Sequence, residues 1–143
     1  MGYTEFGKYL VKYRLRHNML LGEMAQKLSM KTTRLSNIQT GARITDDEFH
    51  RLTKKYPEIG AQLKILYHAI GLDRYDDNRE NDGKYYTGRN RYMATGVQFE
   101  NLLTLEKLGY LTREDRPLWE FAVTEKGFEL IRDITGLRII EEE

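Results

Sequence analysis

Cysteine is absent from this 143-residue sequence, which excludes disulfides, thiolate metal sites and a thiol nucleophile and suits a reducing compartment. No apolar run approaches the roughly 20 residues needed to span a bilayer, so no membrane partner is expected. The start, Met-Gly-Tyr-Thr-Glu-Phe, lacks a basic stretch followed by an apolar one; no secretory signal is expected and the expected location is cytoplasmic. Histidine is scarce, and His17, His50 and His68 show no metal-ligand spacing. No glycine-rich phosphate loop follows a strand pattern, no Gly-x-Ser-x-Gly occurs, and no pair of carboxylates is flanked by an apolar pocket pattern. The expectation is therefore a non-enzyme, with no catalytic residue, metal or cofactor.

Opposite charges nearly cancel, to a net +1, but they are unevenly placed. Residues 1–57 carry eleven Lys or Arg against five Asp or Glu, a net +6, whereas residues 58–143 carry a net −5. A basic leading part suits a polyanion; uneven surface charge without a partner is the plainer explanation, and charge alone leaves both open. At this length the chain makes one medium domain or two small ones.

Phe6, Leu10, Tyr13 and Leu15 recur close to helical spacing, which predicts a helix over about 4–17, with Thr4 as a candidate N-cap and Gly7 as a weak point in its first turn. Met19–Leu21 forms an apolar link. Gly22–Leu28 reads as a short helix with Met24, Ala25 and Leu28 inward, Ser29–Lys31 as a turn, and Thr32–Thr40 as a second short helix with Leu35 and Ile38 inward. Gly41 stops it, since glycine accepts the left-handed conformation after a helix cheaply. Asp46 and Asp47 open a fourth helix, favoured there by the helix dipole, with Phe49 and Leu52 as its core face; Pro57 marks its end.

The segment Glu23–Gly41, EMAQKLSMKTTRLSNIQTG, resembles the Cro/XRE family of phage repressors and bacterial regulators, and the resemblance covers about residues 4–57. Ala25 is small where the second helix crosses, Leu28, Met30, Leu35 and Ile38 are the apolar pegs, and Ser36 and Gly41 match the family pattern. The chain departs from it at Leu21, where the family commonly has a phosphate-touching glutamine, at Ser29, where it has a turn glycine, and at Gln39, where it has an acid. The resemblance implies a lambda-repressor-like helix-turn-helix bundle over 1–57 and sequence-specific binding of double-stranded DNA by a transcriptional regulator of the phage or prophage repressor kind. In that fold the second helix lies in the major groove with its N-terminal residues facing base edges. The implied base contacts are Thr32, Thr33 and Asn37, with Lys31 and Arg34 adjacent; asparagine pairs with adenine and arginine with guanine. Arg43, Lys27 and Arg14 are implied phosphate contacts. A merely solvated helix face is the competing reading of all eight.

Beyond Glu58, Ile59, Leu63, Leu66 and Ile70 step by four, three and four as a helical stripe ended by Gly71. Such a stripe is core or a partner surface. One helix-turn-helix covers a single half-site, so a homodimer is expected and the stripe is the candidate surface for a dimer or partner. Residues 73–91 are polar and turn-rich and predict a surface loop. Within it Asp76, Asp77, Asn78, Glu80 and Asp82 lack the spacing of a calcium loop. Tyr85, Tyr86, Arg89, Arg91 and Tyr92 interleave aromatics with cations, a pattern that stacks on bases or, as favoured here, packs back onto the domain.

Val97–Leu108 predicts a helix stopped by Gly109, Trp119–Val123 an alternating strand, and Thr124 the cap of a last helix carrying Phe128, Leu130 and Ile131. Leu105–Arg113 followed by Phe121–Gly127 is similar to the helix, wing and following helix of MarR- and PadR-type winged-helix proteins, and to a group of small phage proteins with an Arg-Asn-Arg/His-aromatic segment ahead of it, here Arg89–Tyr92. This implies a mainly α chain whose residues 58–143 form an α+β winged-helix-like module for dimerisation or partner binding. The helix before the wing carries Glu100 and Glu106 against Lys107, which suits a DNA groove poorly and leaves a second DNA contact as the lesser option. The competing function is a phage or plasmid protein that binds a host protein and uses the helix-turn-helix only as a scaffold.

Overall fold

The computed structural model describes residues 2–72 and 83–141. It is mainly helical, with a small sheet region in the second half. Helix α1 (Glu5–Arg16) begins where the Thr4 hydroxyl accepts a hydrogen bond from the Gly7 N–H at 3.0 Å, satisfying one of the free N–H groups of a helix start. Its apolar face buries Phe6, Tyr9, Leu10 and Tyr13. Helices α2 (Leu21–Lys27) and α3 (Thr32–Gln39) follow, and α3 packs across α1. Gly7 is the crossing point: a Cβ there would lie 2.0 Å from the Gln39 carbonyl oxygen. What the sequence offered as a weak point is thus the residue that lets two backbones touch.

Helix α4 (Asp46–Lys55) opens on a reciprocal cap. Thr45 accepts from the Glu48 N–H, and the Glu48 carboxylate accepts from the Thr45 N–H at 2.9 Å. Pro57 then begins α5 (Pro57–Ile70), a place where its missing N–H costs nothing. Ile59, Leu63, Leu66 and Ile70 are each at most 1% exposed, and Gln62, Ile65 and Ala69 on the other faces are buried as well. Only Pro57 and Lys64 of this helix are exposed, and α5 packs against α4, α6 and α7, which makes it the central helix. The stripe therefore cannot serve as a dimer or partner surface: its side chains are spent inside the chain.

The second half adds β1 (Lys84–Thr87), β2 (Tyr92–Met93), a 3-10 turn (Gly96–Gln98), α6 (Phe99–Lys107), β3 (Leu111–Thr112), β4 (Glu120–Val123), α7 (Glu125–Thr135) and β5 (Arg138–Glu141). Strand β1 pairs in parallel with β5, and β2, β4 and β3 form an antiparallel sheet in that order. Thr124 caps α7 by accepting from the Gly127 N–H at 3.1 Å. β4, the central strand of the three, does not alternate: Phe121, Ala122 and Val123 are all buried, and α5 and α7 both pack on it.

Part of the expected 73–91 loop is ordered structure. Lys84–Thr87 is a strand, and Asn90 stands in for another: its side-chain amide donates to the Val123 carbonyl at 2.9 Å and accepts the Val123 N–H at 2.7 Å. The buried Tyr85 hydroxyl donates to the Ile70 carbonyl, Arg89 donates to the His68 carbonyl, and the Tyr92 ring meets His68 edge-on. Three of the five interleaved residues thus pack back onto the domain. Asp76, Asp77, Asn78, Glu80 and Asp82 lie outside the described residues.

The expected division at 57/58 is not a break in packing. One core runs from Phe6 to Leu137. The Tyr9 hydroxyl donates to Gln62 Oε1 at 2.6 Å inside the core, and Gln62 donates to the half-buried Asn101 Oδ1 at 3.2 Å, a polar chain from α1 through α5 to α6. Asp133 accepts the Phe6 N–H at 3.2 Å, and the Tyr110 hydroxyl reaches the Glu5 carbonyl at 3.3 Å.

Candidate nucleic-acid interface

Two short helices need external help to hold a fixed angle, since neither is long enough to be stable alone. Apolar pegs supply part of it: Met24, Ala25 and Leu28 of α2 and its C-cap, and Leu35 and Ile38 of α3, are at most 1% exposed. Charged side chains of α4 supply the rest. Arg51 donates to the Leu28 and Ser29 carbonyls at the end of α2, where the helix dipole favours a cation. Its Nε also lies 3.2 Å from Asp47. Glu48 grips Arg34 of α3 in a two-pronged pair, Nε–Oε2 at 2.9 Å and Nη2–Oε1 at 2.8 Å. The same Arg34 donates to the Arg43 carbonyl. The Arg34 guanidinium, together with the Thr45 cap, holds the Glu48 carboxyl down at about 2.

The eight expected DNA-contacting residues divide accordingly. Lys31, Thr32, Thr33 and Asn37 are exposed at the start and along the outer face of α3, and Lys27 is exposed at the end of α2. Lys31 is the N-cap residue of α3 and its side chain makes no capping bond, so the first N–H groups of that helix point outward without a side-chain acceptor. None of these five has a charged partner among the described residues.

The other three are committed elsewhere. Arg34 is a clamp on α4, which removes it as an expected base contact. Arg43 donates to the Thr135 carbonyl at the end of α7, a favourable place for a cation, so it ties α7 to the α3–α4 loop. Arg14 is buried, with its guanidinium on Gln39 Oε1 and near Met24 Sδ; burial pushes its pKa below the ordinary arginine value. It cannot reach a phosphate. Its amide partner Gln39 is only 2% exposed, so the position where the resembled family has an acid is an interior contact here.

The turn between the two helices carries a strain. Ser29 sits at φ 56°, a left-handed conformation that a residue with a Cβ adopts at a cost. In the second half, the loop joining β3 to β4 has its cations neutralised from within: Arg113 is paired to Glu106 at 2.7 Å and Arg116 to Glu120 at 2.8 Å. No helix among the described residues is long and apolar enough to cross a membrane. Comparison of the chain with models of protein families, with curated proteins and with solved structures finds no match.

Proposed function

We propose that the chain is a sequence-specific duplex-DNA-binding regulator of transcription, in which α2, the Leu28–Lys31 turn and α3 act as a helix-turn-helix and α3 enters the major groove. The observation that supports this best is the division of α3 into two faces. Leu35 and Ile38 are locked into the core, while Lys31, Thr32, Thr33 and Asn37 are exposed beside an uncapped helix start. Such a start attracts phosphate, Asn37 offers the donor–acceptor pair that matches adenine, and the threonine methyls match the thymine methyl. Lys27 and Lys31 serve as phosphate contacts. The excess of cations in residues 1–57 favours encounter with DNA.

Helix α6, the β3–β4 ribbon and α7 follow one another as in a winged-helix module, which we read as a partner-binding part. Its ribbon cations are already paired with Glu106 and Glu120, so it offers phosphate little.

Selection of random duplexes against the full chain, followed by binding titrations over a salt series, tests the reading. The expected result is a preferred sequence whose log affinity falls with log salt by about 0.9 for each phosphate neutralised. Binding to no duplex, or binding indifferent to salt, would refute it and leave α2–α3 as a scaffold for a protein partner.

A further inference from the structure

The last turn of α3 and the loop after it are both held from the far end of the chain. At the end of α3 the Gln39 carbonyl accepts the Thr4 N–H at 3.0 Å, beside the close crossing at Gly7. The start of α1 is thus the seat of α3. That start is fixed in turn by α7, whose half-buried Asp133 carboxylate accepts the Phe6 N–H at 3.2 Å. A second line runs through the loop. Arg43 donates to the Thr135 carbonyl, and its own carbonyl accepts from Arg34 Nη2 of α3 at 3.0 Å. Gly136, where α7 ends, leaves room for the guanidinium, since a Cβ there would lie 2.5 Å from Arg43 Nη1. Thr4, Ile38, Gly41, Ala42 and Asp133 line a gap of about 30 Å³, the space of a water molecule.

Both lines end on α7, at Asp133 and Thr135, and both begin on the helix that turns Thr32, Thr33 and Asn37 outward. A helix of 8 residues does not hold its own direction, whereas a reading side chain must be placed to within about 0.5 Å. We propose that Asp133 and Arg43 are positioning residues for DNA reading: they touch neither base nor phosphate, and they fix the angle of α3 from the end of α7. The second half is then a control element, because a ligand or partner that shifts α7 shifts α3 with it. This rests on the DNA reading above, and it gives Arg43 a role other than the phosphate contact its charge suggests.

The full chain tests this with and without DNA. On the duplex that the wild type selects, Asp133→Ala and Arg43→Ala should each lose about tenfold in affinity, the worth of one base contact. Affinity for an unrelated duplex and the slope of log affinity against log salt should not change. Asp133→Asn should recover most of the loss, since its amide oxygen still accepts the Phe6 N–H. The direction at Asp133 discriminates, because removing an anion that merely lay near DNA would tighten binding to every duplex and overturn the proposal. A slope in Arg43→Ala shallower by about 0.9 would make Arg43 a phosphate contact and overturn it too. Without DNA, hydrogen exchange of the α3 amides in both alanine variants should quicken by about tenfold, as expected for one lost hydrogen bond, while the α5 amides keep their wild-type rates. Equal quickening in α3 and α5 would show general destabilisation and refute the positioning role. Quickening confined to α3 and the start of α1, in a chain that binds no duplex, would sustain the coupling to α7 and defeat the DNA reading instead.

Discussion

Replacing Glu48 by glutamine separates the two roles that Arg34 has been given. In the wild type the carboxylate faces the guanidinium through two hydrogen bonds and also accepts from Thr45. Glutamine keeps an oxygen for Thr45 but sets an amide N–H₂ against Arg34. Holding the carboxyl at about 2, against an ordinary value of about 4.3, corresponds to at most about 3 kcal/mol. The Arg34 side chain is 34% exposed, so water screens the pair and the expected loss in Glu48→Gln at pH 7 is about 1–2 kcal/mol. The pKa is lowered by folding, so this stability is complete above about pH 5 and is lost as the pH falls through 4 towards 2. Urea unfolding of the two proteins should therefore show a gap at pH 7 that shrinks to less than half by pH 3. Arg34→Ala should be destabilised by a similar amount and keep the base preference of the wild type on the selected duplex. A gap of equal size at both pH values would refute the ionic clamp, and an Arg34→Ala that is stable yet loses preference at one base pair would restore it as a reader.

Three further outcomes are expected. Gly7→Ala places a methyl 2.0 Å from the Gln39 carbonyl and must push α3 off α1, so thermal unfolding should show a loss of more than about 3 kcal/mol; a loss under 1 kcal/mol would mean that the crossing is not close. Ser29→Gly relieves the left-handed turn and should raise stability by about 0.5–1 kcal/mol in urea titration, the relief exceeding the extra chain entropy; destabilisation would show that the serine is not strained. Asn37→Ala should weaken binding to the preferred duplex by about 1–3 kcal/mol and relax one base pair without changing the melting temperature, and an unchanged affinity would remove Asn37 from the reading face.

Much of the first half was legible in the sequence because its signals are local. Thr4, Leu35, Ile38 and Gly41 act within one or two turns of where they stand, as do Met24 and Leu28 for α2 and Asp46 and Leu52 for α4, and the four helices follow from them. The protein partners of three DNA candidates, Arg14, Arg34 and Arg43, are hidden in the sequence because a charged residue looks the same there whether it faces water or a neighbour. Arg34 and Glu48 are 14 positions apart, Arg43 and Thr135 are 92 apart, and only folding brings them together. One signal was available: Thr45-x-x-Glu48 is a capping-box pattern, and it fixes Glu48 at the start of α4. The α5 stripe was read correctly as a helix face, but four positions at helical spacing say nothing about what covers them; the burial of Gln62, Ile65 and Ala69 on the remaining faces decides it. The parallel pairing of β1 with β5 has no local signal, since its partners are more than 50 residues apart.

The contacts that bind α1 to the far end of the chain bear on how the protein is made. Phe6 waits for Asp133, and Glu5 for Tyr110. A ribosome adding about 5–20 residues per second needs about 4–15 s to go from the end of α4 to α7. For that interval α1, and α5 once it is made, have no α7 to pack against, although both pack on it in the folded chain. Rare codons between residues 58 and 133 would lengthen this interval, and chaperone demand should follow the translation speed of that stretch more closely than that of the first 57 codons.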